Sequence, residues 1–279
     1  VDPGTETHPM AISLEGKSVI VTGAGHGVGL AIARRFANLG ASVMMAGTDE
    51  SRLEEEVVLL RKSDAQVTHY AGDLREKLTI TNLVAATVDS FERIDILVNA
   101  SREVLPSDPL NADDKTFDNL IAQNVTPTLR LSQAVARRMI KMAGEGSTAG
   151  RSGLGSIVNV TSIAARRTLP ELMAYSVASA AVDQLTRSMA VAFAARGIRV
   201  NAIALGSVLS TSLQSAIKDR AGLQDDLTAV TPLGRIGEAD EAAEAAVFLA
   251  SDSASFITGQ ILAVDGGRTM LDPMDRPAH

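Results

Sequence analysis

The amino-acid sequence predicts a doubly wound α/β fold, with a parallel seven-stranded sheet and helices on both of its faces. The first observation is that short β-branched runs alternate with longer stretches of helical periodicity from Lys17 onward. Such alternation is typical of βαβ units, and strands covered on both faces are continuously apolar. The second observation is the length of 279 residues, which is near the upper end of what one α/β core holds.

The order of these elements can be read directly along the chain. The predicted strands cover residues 18–23, 42–47, 67–72, 94–99, 156–161, 198–204 and 261–266. The predicted helices cover roughly residues 28–39, 50–63, 75–91, 113–142, 174–196 and 239–250. Because ligands of open α/β sheets bind beyond the carboxyl ends of the strands, functional residues are expected where the strands end.

One domain is predicted over residues 11–270. Residues 1–10, VDPGTETHPM, lack the apolar segment of a signal peptide and are expected to be a tag or a disordered arm. Residues 271–279 are polar and are expected to form a tail. The Gly- and Ser-rich stretch 143–155 predicts a flexible surface loop. Residues 205–237 have weak helical periodicity, and a segment of that length is expected to be a substrate loop or lid.

The composition argues against several classes of partner. A formal net charge of −7 without a Lys/Arg-rich tract argues against nucleic acid, because phosphates need clustered cations. No apolar run has the roughly eighteen residues of a membrane span. There is no cysteine, and the histidines His8, His26, His69 and His279 have no ligand spacing, so no metal site is predicted. A small-molecule partner is therefore expected.

Three glycines occupy the turn between the first predicted strand and the first predicted helix. Gly23, Gly27 and Gly29 lie in VIVTGAGHGVGLAIARRF, with the spacing G-x-x-x-G-x-G. Glycines in such a turn let the backbone approach a pyrophosphate, which then lies at the N-terminus of the helix. The pattern predicts a dinucleotide-binding loop, and a tight turn that binds no ligand is the alternative.

Several further motifs follow in a fixed order. Thr22 with these glycines resembles the TGxxxGxG motif of the classical short-chain dehydrogenase/reductase family. Asp73 in GDL is similar to the adenine-contacting Asp of that family, and Asn124 is similar to the Asn of its central helix. Ser162 precedes Tyr175 by thirteen residues, the separation of the family's catalytic Ser and Tyr. With DILVNAS, RVNAIALG and ITGQILAVDGG, the resemblance spans about residues 14–268.

This resemblance implies a Rossmann-type fold and hydride transfer between NAD or NADP and a small-molecule alcohol or carbonyl substrate. It also implies a cytoplasmic homodimer or homotetramer without a nucleic-acid or membrane partner. The catalytic positions that it implies are Ser162, Tyr175, Asn124 and Ser179. The cofactor-binding positions that it implies are Thr22, Gly23, Gly25, His26, Gly27, Val28, Gly29, Gly47, Thr48, Asp73, Leu74, Asn99, Ala100, Ser101, Arg102, Gly206 and Val208.

Ser179 occupies the position, four residues after Tyr175, where family members carry a lysine. A free tyrosine has a pKa of about 10, so forming the phenolate at neutral pH costs about 4 kcal/mol. A unit charge about 4 Å away, at an effective dielectric near 20, supplies on the order of 4 kcal/mol. A serine hydroxyl carries no charge, so we predict that activation by this route is lost or much reduced.

Two functions therefore stay open. The first is an oxidoreductase with atypical or reduced activity, and the second is a dinucleotide-binding pseudoenzyme or regulatory protein. Halohydrin dehalogenase-like lyase chemistry is disfavoured, because it needs an arginine in place of the lysine and a rebuilt nucleotide loop. Arg102 is a second departure, since NASR stands where the family has NNAG. Arg102 could supply the missing cation, crowd the nicotinamide site or face solvent.

The preferred dinucleotide depends on the residues after the second strand. Gly47 occupies the position where an acidic residue binds the ribose hydroxyls of NAD, with Thr48 beside it. Losing the acid removes the repulsion of a 2′-phosphate, and His26 in the glycine loop adds slight weight in the same direction. The sequence thus predicts a weak preference for NADP, while Asp49 keeps NAD open.

Overall fold

A computed structural model describes residues 12–144 and 153–272 of the chain. The predicted arm of residues 1–10 lies outside the described residues. So do residues 145–152 of the predicted surface loop and residues 273–279 of the predicted tail. Among the described residues, no helix has both the length and the apolarity needed to cross a membrane.

Seven strands form one parallel sheet, as the sequence predicts. The strands are β1 (Ser18–Thr22), β2 (Ser42–Gly47), β3 (Val67–Ala71), β4 (Ile96–Asn99), β5 (Gly155–Ser162), β6 (Ile198–Leu205) and β7 (Ile261–Val264). Their order in the sheet is β3-β2-β1-β4-β5-β6-β7, and every neighbouring pair is parallel. The strand order reverses between β1 and β4, the place where open α/β sheets bind ligands.

Nine α-helices are found in the described part of the chain. They are α1 (Gly27–Asn38), α2 (Glu50–Arg61), α3 (Lys77–Phe91), α4 (Thr116–Leu120), α5 (Thr126–Ala143), α6 (Met173–Ala194), α7 (Thr211–Asp219), α8 (Leu223–Ala229) and α9 (Ala239–Ala250). Helices α7 and α8 lie within the predicted loop 205–237, and Gly222, with a left-handed φ of 81°, separates them. This segment is more helical than its weak periodicity indicated.

The single helix predicted over residues 113–142 is interrupted. A π-helical segment, Ile121–Val125, joins α4 to α5. Pro127 follows it, in the first turn of α5. A proline lacks the backbone N–H and its ring clashes with the carbonyl four residues earlier, here that of Gln123, so regular α-helical bonding cannot continue through this point. The π-helical segment carries the predicted site residue Asn124.

The alternating side chains of the strands build one apolar core on each face of the sheet. On the first face, Val19 and Val21 of β1 pack with residues of α1, α2 and α9. On the second face, Ile20 of β1 packs with residues of α3, α5 and α6. Successive strand residues point to opposite faces, so β1 is covered on both sides and all five of its residues are buried. The doubly wound prediction is confirmed.

An ion pair stabilises the N-terminus of α9. The carboxylate of Glu241 accepts hydrogen bonds from two nitrogens of Arg235 at 2.7 Å and from the backbone N–H of Glu238 at 2.8 Å. The Arg235 guanidinium, assisted by the Glu238 N–H, lowers the pKa of Glu241 to about 2 from an ordinary value of 4.5. Because the folded-state pKa is the lower one, the charged form stabilises the fold above pH 4.5, and this contribution is lost as the pH falls toward 2.

We predict that Glu241→Gln lowers the free energy of unfolding by about 0.5 kcal/mol at pH 7, since the pair is half exposed and screened by solvent. Glutamine keeps one acceptor oxygen and nearly the same shape, and it removes the charge together with the second acceptor oxygen. Urea unfolding of both proteins between pH 7 and pH 2 measures the effect. The difference in the free energy of unfolding between the two proteins should decrease as the pH falls from 4.5 toward 2. A difference that stays constant would contradict the role of the charged Glu241 in stabilising the fold.

Candidate active site

The glycine loop after β1 turns tightly against the start of α1. Gly23 and Gly27 have left-handed φ angles of 65° and 56°, which side-chain-bearing residues rarely adopt. At Gly29 a Cβ atom would lie 2.2 Å from the carbonyl oxygen of Gly23, so only glycine allows this close approach. His26, at the N-cap of α1, makes no side-chain capping bond, which leaves first-turn N–H groups for an anion. The loop therefore fits the pyrophosphate of a dinucleotide.

A cleft of about 410 Å³ opens over this loop, at the carboxyl ends of β1, β2 and β4. The volume is in the range of small-molecule sites. The predicted cofactor residues that line it are Gly23, Gly25, His26, Gly27, Val28, Gly29, Gly47, Thr48, Ala100, Ser101 and Arg102. The structure thus brings together predicted residues from three separate segments of the chain.

Two predicted cofactor residues serve the framework beneath the cleft. The hydroxyl of Thr22 accepts hydrogen bonds from the backbone N–H groups of Ala100 and Ser101, both at 3.0 Å, and so ties β1 to the loop after β4. The buried amide of Asn99 donates to Ser132 at 3.0 Å and to Asn159 at 2.8 Å. Neither Thr22 nor Asn99 lines the cleft.

Four further predicted cofactor residues lie away from the lining of the cleft. Asp73 forms an ion pair with Arg75 at 2.5 Å, and the hydrogen bond from that guanidinium lowers the pKa of Asp73. Leu74 packs at the border of the second apolar core. Gly206 lies so close to Asp265 that a Cβ atom would approach within 2.6 Å, and Val208 lines another cavity.

Tyr175 lies in the first turn of α6 and is 4% exposed. Its neighbours include the apolar side chains of Leu120, Ala164 and Ala178. The hydroxyl oxygen accepts a hydrogen bond from Nη1 of Arg102 at 2.5 Å. Tyr175 also lines a small cavity of about 10 Å³, roughly the space of one water molecule. Its phenol is thus buried and in contact with a guanidinium.

Arg102 connects this small cavity to the cleft. Arg102 and its neighbour Ser101 line both of them, and Asn124 and Ser179 line the small cavity. The side chain of Arg102 is partly buried, so it does not simply face solvent. The geometry places Tyr175 directly behind the wall of the cleft.

The predicted catalytic residues Ser162 and Asn124 are held by backbone groups. Ser162 ends β5, and its hydroxyl accepts a hydrogen bond from the N–H of Ala164 at 3.1 Å. Asn124 accepts from the N–H of Glu103 and donates to the carbonyl of Glu103, both at 2.8 Å. Asn124 therefore clamps the residue next to Arg102, whereas Ser162 is not among the residues that line the cleft or the small cavity.

Ser179 does not direct its hydroxyl to the phenol. Its Oγ donates to the backbone carbonyl of Tyr175 at 2.8 Å, the usual bond of a helical serine to the preceding turn. Ser179 is 5% exposed and contributes a short wall of the small cavity. The small side chain of Ser179 therefore leaves space in this cavity for the side chain of Arg102, from the loop after β4.

Several residues of the cleft escaped the sequence analysis. They are Leu53, Glu103, Val104, Gln123, Ser210 and Thr211. Ser210 and Thr211 follow the carboxyl end of β6, so the rule that ligands bind at strand ends could have identified them. Thr211 also begins α7, and its hydroxyl lies 3.4 Å from the position of a Cβ on Gly27.

Taken together, the fold and the cleft define a dinucleotide-binding α/β protein with a buried tyrosine next to the site. A family model described as Enoyl-(Acyl carrier protein) reductase matches residues 23–269. The chain belongs to the short-chain dehydrogenase/reductase family, whose members include NAD(P)-dependent oxidoreductases.

Relatives and solved structures match almost the whole chain. Galactitol 2-dehydrogenase (L-tagatose-forming) of Cereibacter sphaeroides is 36% identical over 259 residues, which cover 92% of this chain and 96% of the relative. Gluconate 5-dehydrogenase of Burkholderia cenocepacia, solved with NADP and tartrate, has a TM-score of 0.84 and 30% identity, covering 93% and 98% of the two chains. A 7α-hydroxysteroid dehydrogenase solved with NADH and 7-oxo glycochenodeoxycholic acid has a TM-score of 0.82 and 33% identity, covering 91% and 95%.

We predict that Gly29→Ala lowers the free energy of unfolding by about 1–3 kcal/mol, because the new methyl group meets backbone atoms that cannot move aside easily. Gly25→Ala is the matched control, since its methyl group meets only Arg52 and Leu53 side-chain atoms at 3.9 Å. That variant should stay within about 0.5 kcal/mol of the parent. Urea unfolding compares the two, and equal effects would argue against the tight contact at Gly29.

Proposed function

We propose that the protein is an NAD(P)-dependent oxidoreductase that transfers a hydride between a nicotinamide cofactor and an alcohol or carbonyl substrate. The observation that carries this proposal is the position of Tyr175 directly behind the cleft, where Ser101 and Arg102 line both spaces. A phenol can exchange a proton with a substrate oxygen only if it lies beside the reacting carbon. The family to which the chain belongs supports the same reaction class.

The cofactor residues fall into two groups in this proposal. The glycine loop with His26 and Val28 would hold the pyrophosphate, and Ala100 to Arg102 would lie along the nicotinamide half. When bound, the nicotinamide supplies the hydride for the substrate carbon or accepts it. The predicted contacts of Asp73 and Leu74 with the adenine, and of Gly206 and Val208 with the nicotinamide, stay predictions.

Tyr175 performs the proton transfer. In reduction, the substrate carbon receives a hydride while the Tyr175 hydroxyl gives its proton to the carbonyl oxygen, which leaves a phenolate on the enzyme. In oxidation, the phenolate takes the proton of the alcohol. Ser162 donates a hydrogen bond to the same substrate oxygen, and Asn124 keeps the loop after β4 in place through its two bonds to Glu103.

We propose that Ser179 replaces the lysine of relatives and that turnover is atypical or reduced as a consequence. The Ser179 hydroxyl is bonded to its own helix and carries no charge, so this residue cannot stabilise a phenolate from α6. The alternative function is a dinucleotide-binding pseudoenzyme or regulatory protein. Two observations favour this alternative. Position 179 is an uncharged serine, and the bulky side chain of Arg102 lines the cleft.

NADP is the preferred dinucleotide in this proposal. Gly47 and Thr48 present no carboxylate where the adenosine ribose would lie, so these two residues do not repel a 2′-phosphate. Asp49 lies in the same cleft, but one of its carboxylate oxygens accepts the hydrogen bond of the Arg52 N–H at 3.1 Å and caps α2. Solved relatives include one with NADP and one with NADH, which agrees with a preference that varies within the family.

Other parts of the proposal have no contact in the structure behind them. A homodimer or homotetramer and a cytoplasmic location come from the family resemblance, whereas a single domain over residues 11–270 and a substrate-binding role for residues 205–237 come from the length and pattern of the sequence. The substrate is an alcohol or a carbonyl compound of small size. Polyols, sugar acids and hydroxysteroids are the first compounds to assay, because relatives include dehydrogenases named for galactitol, gluconate and a 7α-hydroxysteroid.

The proposal is tested by calorimetric titration with NADPH and NADH, followed by hydride-transfer assays on this panel. We predict tighter binding of NADPH and measurable turnover with at least one substrate. Tyr175→Phe should keep cofactor binding and lower kcat/KM by about 10²–10⁴-fold, the usual loss for a general acid or base. The absorbance of the reduced nicotinamide gives the rate in every assay.

Three outcomes contradict the proposal or a part of it. Tight binding without turnover in the parent, with turnover that appears only in Ser179→Lys, would identify a pseudoenzyme. Failure to bind either dinucleotide would exclude both functions. Equal rates in the parent and in Tyr175→Phe would remove Tyr175 from the reaction.

A further inference from the structure

The contact between Arg102 and Tyr175 is the most unusual charge arrangement near the cleft. Arg102 follows β4 by three residues, and Tyr175 lies 73 residues further along the chain, on α6. Nη1 of Arg102 donates to the phenol oxygen at 2.5 Å, and because the donor is a guanidinium the hydrogen bond is charge-assisted. A full positive charge therefore touches the atom that the proposed reaction uses.

The position of Arg102 is fixed by the backbone on both sides of it. Before Arg102, the N–H groups of Ala100 and Ser101 both donate to the hydroxyl of Thr22. After Arg102, the N–H and carbonyl of Glu103 are both bonded to the side chain of Asn124. Four hydrogen bonds thus hold a loop of four residues, and the guanidinium starts from a constrained backbone.

The charge of Arg102 is not neutralised by a neighbouring carboxylate. In the described ranges, 12–144 and 153–272, no ion pair includes Arg102. Arginine keeps its charge at every pH that a folded protein tolerates, which an ammonium group does not. The guanidinium is therefore available to an anion that forms on Tyr175.

The environment of the phenol strengthens this interaction. The side chains of Leu120, Ala164 and Ala178 form one apolar cluster with Tyr175, which is 4% exposed, and burial weakens the screening of charges by water. The elements that pack around Tyr175 carry exposed titratable groups, among them Glu103 beside Arg102, Asp118 on α4, Arg166 after β5 and Glu171 before α6. In the described part of the chain, neither these groups nor the buried Asp183 forms a hydrogen bond to the phenol.

We infer that Arg102 is a catalytic residue that stabilises the phenolate of Tyr175, in place of the lysine that relatives carry four residues after the tyrosine. The catalytic role of Arg102 rests on the proposed function, whereas the contact between Arg102 and Tyr175 is independent of it. The cation reaches the phenol from the loop after β4 instead of from α6. The short side chain of Ser179 provides the space that this arrangement needs.

The chain is well suited to a direct test, because it contains two tyrosines and no tryptophan. In a Tyr70→Phe background, the near-ultraviolet absorbance of the phenolate reports Tyr175 alone, in the cofactor-free protein. Arg102→Met should move the absorbance midpoint up by about 1–3 pH units, since an opposite charge within hydrogen-bond distance has effects of this size. Arg102→Lys, which keeps a charge, should retain most of the parent behaviour.

Two controls separate charge from structure. Arg102→Gln keeps a hydrogen-bond donor without the charge, so it should behave like Arg102→Met and not like Arg102→Lys. Arg34→Met removes one positive charge from the exposed surface of α1 and should leave the midpoint unchanged. Circular dichroism of each sample restricts the comparison to pH values at which the protein is folded. An unchanged midpoint in Arg102→Met and Arg102→Gln would overturn the inference.

Kinetics give a second and independent readout. We expect Arg102→Gly to lower kcat at neutral pH at least tenfold, and the double variant Arg102→Gly/Ser179→Lys to recover most of that loss. No recovery, together with unchanged kcat in Arg102→Met, would overturn the inference. If the parent has no turnover but the absorbance midpoint moves as expected, the contact stands and only the proposed function fails.

Discussion

The hydroxyl of Thr22 joins the two strands between which the sheet reverses its order. It accepts hydrogen bonds from the backbone N–H groups of Ala100 and Ser101, so the loop after β4 is held directly against the glycine loop after β1. A Cβ on Gly23 would lie 2.9 Å from the backbone of Ser101, which shows how closely the two loops approach. The cleft exists because these loops meet, and the same contact carries Arg102 toward α6.

From that junction the site extends in two directions. Toward the glycine loop, the open N-terminus of α1 and two left-handed glycines prepare a place for a pyrophosphate. Toward α6, Asn124 fixes Glu103, and Arg102 reaches the phenol of Tyr175. The π-helical segment that carries Asn124 is thus part of the site, in agreement with the frequent occurrence of such segments at functional positions.

Most of the fold can be predicted from local patterns, because buried strands are short apolar runs and amphipathic helices show a helical periodicity in the sequence. The seven strands were predicted within a few residues of their positions. The interruption at Ile121–Val125 was not, since it depends on one proline and on a tertiary contact of Asn124. Helices α7 and α8 were also missed as helices, because glycine and proline mask their weak periodicity.

The site was predictable where it depends on motif spacing and unpredictable where it depends on tertiary contacts. The glycine loop lines the cleft and Tyr175 lies behind its wall, at positions that the motifs indicate. Asn99 and Thr22 form hydrogen bonds within the framework beneath the cleft, and their contact with a cofactor stays a prediction. That Arg102 touches Tyr175 could be stated only as one of three possibilities, because no sequence rule joins residues 73 positions apart.

A double-mutant cycle of Arg102→Met and Tyr175→Phe, read in the free energy of unfolding at pH 7, tests the contact between Arg102 and Tyr175 most directly. We predict a coupling of about 1 kcal/mol or more. Effects that add within about 0.3–0.5 kcal/mol would show that the two side chains do not interact.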